Sequence, residues 1–265
     1  MSRKPVIVAL AILICFVAVP IAAKTGKTAG RADSRPKTVV QPATARALEP
    51  ATPSTASGQI AIDRSAALHA GVSADVLKLA VGAVSCGIAS GDIQAPPTLT
   101  LIDYSLPSTT PRLWVFDLRS GELLFNELVA HGRNSGDNMA TRFSDAMESR
   151  ESSIGLFRTA DTYVGHNGYS LRLDGLEPGF NGHARERAIV MHGAAYVDAN
   201  IAKTNGRLGR SWGCPALGEA VARQVIDTVR GGGLIFSYYP DATWLKTSKF
   251  LNCAPATVPT TVATN

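Results

Sequence analysis

Arg112-Leu113-Trp114-Val115-Phe116-Asp117-Leu118 and Glu122-Leu123-Leu124-Phe125-Asn126-Glu127-Leu128-Val129 flank the short stretch Arg119-Ser120-Gly121. Two runs rich in apolar, β-branched and aromatic residues around three turn-forming residues predict a hairpin. Further strand-like runs lie on both sides, at 98–103, 154–157, 169–173, 188–191 and 234–239, with turn-rich segments between them. Helical spacing is confined to two places. Ser73 is positioned to cap a helix carrying Val76, Leu77, Ala80 and Val84. Pro215, followed by Leu217, Val221, Val225 and Val229, predicts a second helix that starts at the proline and ends at Gly231. No fixed-period repeat is visible, so the expected class is mainly β (α+β) with a few flanking helices.

The segments outside this pattern divide the chain. Residues 60–253 form the expected folded domain, within a chain of 265 residues that is 45% hydrophobic and 18% charged. Residues 1–23 place an uncharged apolar run, 5–23, behind Arg3 and Lys4, in the order of an export signal. The run is also just long enough to remain as an N-terminal membrane anchor, the alternative expectation, which would tether the chain to the inner membrane. In both cases the domain is expected outside the cytoplasm, in the periplasm or cell envelope. Ile14 before Cys15 argues against lipoprotein processing, which wants a small residue there. Residues 24–59 are rich in Ala, Thr, Pro and basic side chains and bury too little apolar surface to fold, so they are expected to be a disordered tether. Residues 254–265 are expected to be a flexible tail. Of the formal net charge of +5, Arg3 and Lys4 contribute +2 and residues 24–60 contribute +4, which leaves −1 for the remainder. A nucleic-acid-binding domain is therefore not expected.

The stretch most informative about chemistry is Ser211-Trp212-Gly213-Cys214-Pro215-Ala216. With a helix beginning at Pro215, Cys214 stands at its N-cap, where free N–H groups and the helix dipole would lower the thiol pKa. Gly213 allows a sharp turn, and the amides of that turn are candidates to stabilise an oxyanion. A nucleophile of this kind needs a base. His192 follows the apolar run Ala188-Ile189-Val190-Met191 and precedes Gly193, so it sits at a strand end, a rigid place to hold an imidazole. His131, in Leu128-Val129-Ala130-His131-Gly132, is the second candidate. By residue type alone, a strand-end histidine is more often structural than basic and a single cysteine more often inert than catalytic.

His192-Gly193 followed by Ser211-Trp212-Gly213-Cys214 resembles the catalytic signature of the L,D-transpeptidases of bacterial cell-wall synthesis. The text from about residue 99 to 239 is similar to the branch known as the murein L,D-transpeptidase catalytic domain, through Val129-Ala130-His131-Gly132, Asn134-Ser135-Gly136, Phe143-Ser144, Ser152-Ser153-Ile154-Gly155, Gly168-Tyr169-Ser170-Leu171 and Gly206-Arg207-Leu208-Gly209-Arg210-Ser211. The resemblance implies a β-sandwich-like catalytic domain without a metal or organic cofactor. It implies a catalytic group of Cys214 as nucleophile and His192 as base, with Gly213 and Ser211 in the same motif, and an imidazole oriented by a backbone carbonyl. It implies peptidoglycan stem peptides as partners. The thiolate would cleave the diaminopimelate–D-Ala bond of a tetrapeptide stem and pass the acyl group to an amine as a 3→3 cross-link, or to water as an L,D-carboxypeptidase. Substrate contacts are expected from His131, Ser135, Ser153, Tyr196, Arg210 and Trp212.

This chain departs from the family pattern at two places. Trp212 stands where a histidine is common, and Ala216 where arginine or asparagine is common. The interval between His192 and Cys214 is also long, so residues 194–209 are expected to form a lid or a substrate wall. Other function classes are a non-catalytic peptidoglycan-binding module, and an unrelated cysteine hydrolase or metal site. The second lacks zinc-ligand spacing around Cys214. Among the cysteines, Cys86 follows the first helix and Cys253 ends the domain, so those two are expected to pair while Cys214 stays reduced. The oligomeric state is not legible.

Overall fold

The computed structural model describes residues 60–253. Strands β1 (Thr98–Asp103), β2 (Leu113–Asp117) and β3 (Leu123–Glu127) form an antiparallel meander with Thr98 opposite Asp117 and Leu113 opposite Glu127. With β4 (Val129–Ala130), β5 (Gly155–Gly165), β6 (Gly168–Gly175), β7 (Val190–Gly193), β8 (Ala216–Leu217) and β9 (Leu234–Tyr238), they make one nine-stranded sheet in the order β3-β2-β1-β9-β5-β6-β7-β8-β4. The pairs β1–β9 and β7–β8 are parallel and the other pairs antiparallel. The class is mainly β, and the sandwich-like packing takes the form of one curled sheet. Its first and last strands, β3 and β4, are separated in sequence only by Leu128, so the sheet bends until its edges approach.

That bend corrects the predicted hairpin. The second arm, 122–129, stops at Glu127, and Val129 crosses to pair with Leu217 of β8. The register would place Val129 opposite Pro111, which has no N–H to extend the ladder. Arg112 takes the free carbonyl instead. Its side chain is fully buried; Nε and Nη2 donate to Val129 O at 3.2 and 3.0 Å, and Nη1 donates to Leu106 O at 2.7 Å.

Strand alternation buries both faces of the sheet. Leu101, Trp114, Phe116, Leu156 and Phe236 point to one side, under helices α1 (Arg64–His69), α2 (Ala74–Ala89) and α5 (Ala242–Thr247). Ile102, Leu113, Val115, Phe157 and Ile235 point to the other, against α4 (Glu219–Val229). Helix α2 carries Val76, Leu77, Ala80 and Val84 into the first core as the spacing predicts, although the Ser73 side chain makes no cap hydrogen bond. Helix α5 is latched by buried Glu177, which accepts from Trp244 Nε1 at 2.9 Å and Ser248 Oγ at 2.5 Å. The helix predicted from Pro215 starts later. Ala216 and Leu217 are captured by β7 on one side and β4 on the other, and α4 begins only after its N-cap Gly218.

Cys86 and Cys253 are joined in a disulfide with Cα atoms 5.9 Å apart, and Cys214 is the free cysteine among the described residues. The apolar run 5–23, the tether 24–59 and the tail 254–265 lie outside the described residues. Among those described, no helix is long and apolar enough to cross a membrane.

Two stability predictions follow from these contacts. The disulfide spans 167 positions and restricts the unfolded chain; replacing both cysteines by alanine is expected to cost about 3 kcal/mol, read as a lower urea midpoint. The second concerns His131, whose Nδ1 lies 2.7 Å from Arg112 Nη2. Arginine only donates, so Nδ1 is unprotonated and Nε2–H faces Gly136 O at 3.3 Å. Burial, then the Arg112 charge, pushes the imidazole from 6.5 down to about 4. The unfolded chain binds this proton more readily than the fold does, so stability is lost as pH falls from about 6.5 to about 4, by on the order of 3 kcal/mol. Urea midpoints at pH 7 and pH 4 should converge in His131→Gln relative to wild type.

Candidate active site

Parallel pairing of β7 and β8 sets the geometry. His192 is opposite Ala216, and the same register carried back two residues brings Cys214 beside Val190. Cys214 lies two residues before β8, and Val190, its neighbour, shares a face of β7 with His192. The Val190 N–H donates to Cys214 Sγ at 3.5 Å, and the thiol faces Ala188 O at 3.7 Å. Ala188 holds a left-handed φ of 53°, uncommon for a residue with a side chain, and this conformation belongs to the turn that presents its carbonyl to the thiol. Among the hydrogen bonds of the described residues, none joins the thiol to the imidazole ring.

The His192 ring is nearly buried, and Nδ1 lies 2.9 Å from Gly193 O. A carbonyl only accepts, so this bond assigns the proton to Nδ1 and leaves Nε2 as the basic nitrogen. Burial lowers the imidazole pKa, with the Gly193 carbonyl opposing it. The thiol moves the other way: burial raises Cys214, while the Val190 amide and Arg187 pull it down. The expected N-cap depression of the thiol pKa is thus not found. The cause is the strand β8 inserted between Cys214 and the helix, since a helix dipole acts only within its terminal turn.

The turn itself is tied on every side. Ser211 Oγ donates to Cys214 O at 2.7 Å and accepts from Gly213 N at 3.1 Å, so that amide is occupied and is not a free oxyanion donor. Ser211 is itself bound through its backbone to His131 O and Arg133 N. Ser152 Oγ donates to Gly213 O at 3.1 Å and accepts from Gly132 N at 3.0 Å. Gly213 has φ 124°, and a Cβ there would sit 2.7 Å from Glu151 O and 2.9 Å from Ile189 Cδ1. Both the conformation and the space demand glycine.

The residues expected to touch substrate separate into two groups. His131 and Ser135 have no exposed surface and cannot present themselves to a ligand: His131 is locked to Arg112, and Ser135 Oγ accepts from Ser152 N at 2.8 Å. Ser153 is also inside, donating to Ser144 O at 2.9 Å. Arg210 is engaged by Asp137 and Gly136 O, both at 2.9 Å, so its cation already has a partner. Tyr196 and Trp212 stay near the surface. Burial and the neighbouring Cys214 push the Tyr196 phenol up to about 12. Trp212 is 67% exposed, with the Arg150 guanidinium 4.5 Å above its ring.

Residues 194–209 form a packed excursion. Asp198 caps α3 (Ala199–Asn205), Gly206 ends it at φ 67°, and Ala194, Val197, Ala202 and Leu208 pack with Ala130 and Ala216. This wall also positions Tyr196, whose ring lies against Gly209. Sequence reading missed Arg112 and Arg187 and quoted Ser152 only within a matching segment, without a role; these residues build the site from separate segments, and no local pattern signals their contacts.

A family model described as the L,D-transpeptidase catalytic domain matches residues 68–238. No individually curated protein sequence matches the chain. Among solved structures, the chain is similar to an L,D-transpeptidase from Mycobacterium smegmatis, at 14% identity over 54% of this chain and 59% of that one, with a TM-score of 0.34. L,D-transpeptidase 1 of Mycobacterium tuberculosis is 16% identical over 54% of this chain and 62% of its own, with a TM-score of 0.31. An L,D-transpeptidase from Stackebrandtia nassauensis is 14% identical over 61% and 67%, with a TM-score of 0.33. The chain therefore spans about three-fifths of the two mycobacterial proteins. With its motif, its sheet and a family match over most of its length, the chain belongs to the L,D-transpeptidase catalytic domain family.

Proposed function

We propose that the protein is a peptidoglycan L,D-transpeptidase acting outside the cytoplasm, where its polymeric substrate lies, with Cys214 as nucleophile and His192 as base. The observation that carries this reading is the parallel β7–β8 register, which brings Cys214, just before β8, beside Val190 and so near the strand that ends in His192, in a member of this family. His192 Nε2 takes the thiol proton as Sγ attacks the carbonyl joining diaminopimelate to the terminal D-Ala of a tetrapeptide stem. The proton then passes to the departing D-Ala amine, and a thioester joins the stem to Cys214. An amine of a neighbouring stem attacks the thioester, gives its proton to His192 and regenerates the thiol, leaving a 3→3 cross-link. Gly193 O supports this cycle by holding the imidazole in the tautomer that leaves Nε2 free. Tyr196, whose phenol senses Cys214, and exposed Trp212, two residues before the thiol in the chain, are the surfaces on which the stem would rest.

Incubation of the purified protein with disaccharide-tetrapeptide, followed by mass spectrometry, tests the reading. Loss of D-Ala with a cross-linked dimer is expected; tripeptide alone would identify water as the acceptor, and unchanged tetrapeptide would reject the reaction. Cys214→Ala should reduce turnover by at least about a thousandfold with an unchanged urea midpoint. By the family resemblance, a carbapenem should leave a covalent mass adduct on the wild type and none on Cys214→Ala. Gly213→Ala should lose about 2 kcal/mol of stability and most of its activity, because the new Cβ meets Glu151 O; urea titration and the tetrapeptide assay check both.

A further inference from the structure

With α4 starting at Glu219, the positive end of a helix is not what favours a Cys214 thiolate, and Ala216 supplies no cation. Arg187 does lie at the turn. Its side chain is 3% exposed, and Nη2 is 3.4 Å from the point that a Cβ on Gly213 would occupy. Nη1 donates to Ser144 O and Ser153 Oγ, each at 2.6 Å, and Nη2 donates to Glu151 O at 2.7 Å and Ser149 Oγ at 3.0 Å. All four acceptors are neutral. Asp145 Oδ1 is 4.0 Å from Nη1, and that carboxylate also accepts from the His183 backbone and ring. A buried cation held mainly by neutral dipoles keeps a field that reaches its neighbours.

Two contacts direct that field to the thiol. Glu151 O accepts from the guanidinium and stands 2.7 Å from the point that a Cβ on Gly213 would occupy, so Arg187 and Gly213 share one wall. Ala188, the next residue, turns its carbonyl to Cys214 Sγ. We propose that Arg187 is a positioning residue for the reaction, fixing the Gly213–Cys214 turn through the 144–153 loop and supplying the positive charge beside the nucleophile that Ala216 does not supply. This role rests on the reading of Cys214 as the nucleophile. Charge directions agree with it: Arg187 lowers the thiol pKa against burial, and Cys214 in turn favours the charged guanidinium. The other groups that sense the sulfur are the Tyr104 and Tyr196 phenols, and the acids facing Arg187 are Asp145 and Glu151.

The test is the pH dependence of Cys214 alkylation by iodoacetamide in the full-length protein, read by mass on the Cys214 peptide. It needs no wall substrate, so it is separable from turnover. Arg187→Gln should raise the alkylation midpoint and slow alkylation at pH 7 about tenfold, while Arg187→Lys should restore most of the wild-type midpoint. Should Arg187→Gln not fold, Arg187→Met serves instead: it also removes the charge, keeps a side chain of similar reach in the buried site and should likewise raise the midpoint. A midpoint that does not move in the folded variant of this pair, Arg187→Gln where it folds, overturns the proposal. A midpoint that moves as expected, with tetrapeptide left intact by the wild type, supports Arg187 and rejects the transpeptidase reading alone.

Discussion

Arg112 buries a positive charge where β3 gives way to β4, and the path of the chain through the sheet follows from how that charge is satisfied. Its donors need carbonyls, and Leu106 and Val129 provide them. Pro111 cannot extend the ladder, so Val129 is free to be claimed and to leave for the far edge of the sheet. Pairing of β4 with β8 then holds one side of the strand that follows Cys214. Removing the arginine would leave the Leu106 and Val129 carbonyls and His131 Nδ1 without this donor in the interior, a costly state.

Once β8 is held between β4 and β7, the placement of Cys214 beside Val190, two residues before His192 on β7, is a consequence of register. A slip of one residue in β7–β8 would take Cys214 out of register with Val190. The surrounding serines serve the same end. Ser135, Ser152 and Ser211 form a chain of hydrogen bonds that reaches Gly213 and Cys214, and each is buried. Their hydroxyls satisfy backbone groups of a tight turn that no regular element can satisfy, which is why so polar a segment sits inside the protein.

The electrostatics of the pair are those of a neutral resting state. Burial raises the thiol and lowers the imidazole, so both are uncharged near neutral pH. Such a site does not store an ion pair; in the proposed reaction the thiolate would form by proton transfer as the carbonyl arrives, a step that local positive charge makes less costly.

Strand existence was legible because alternation and turn residues are local signals: the runs at 98–103, 112–118 and 234–239 each contain a strand of the sheet. Short elements such as α1, α3 and β8 were not, since six or seven residues carry little periodicity and β8 exists only because it has neighbours on both sides. Cys214, His192 and Gly213 stood out by residue type and motif, and the Cys86–Cys253 bridge by position. The same reading put the wrong element after Pro215 and so attached the wrong electrostatics to Cys214. It also placed His131 and Ser135 against substrate, because a polar side chain in a matching segment does not reveal whether it faces water or the interior. Local pattern was enough for the mainly β class, the motif and the free thiol. Which strand captures Ala216, which polar residues are buried and that Arg187 lies at the Gly213 turn emerge only in three dimensions. These outcomes depend on long-range pairing, in which segments far apart in the chain compete for the same hydrogen bonds, and local pattern carries no record of that competition.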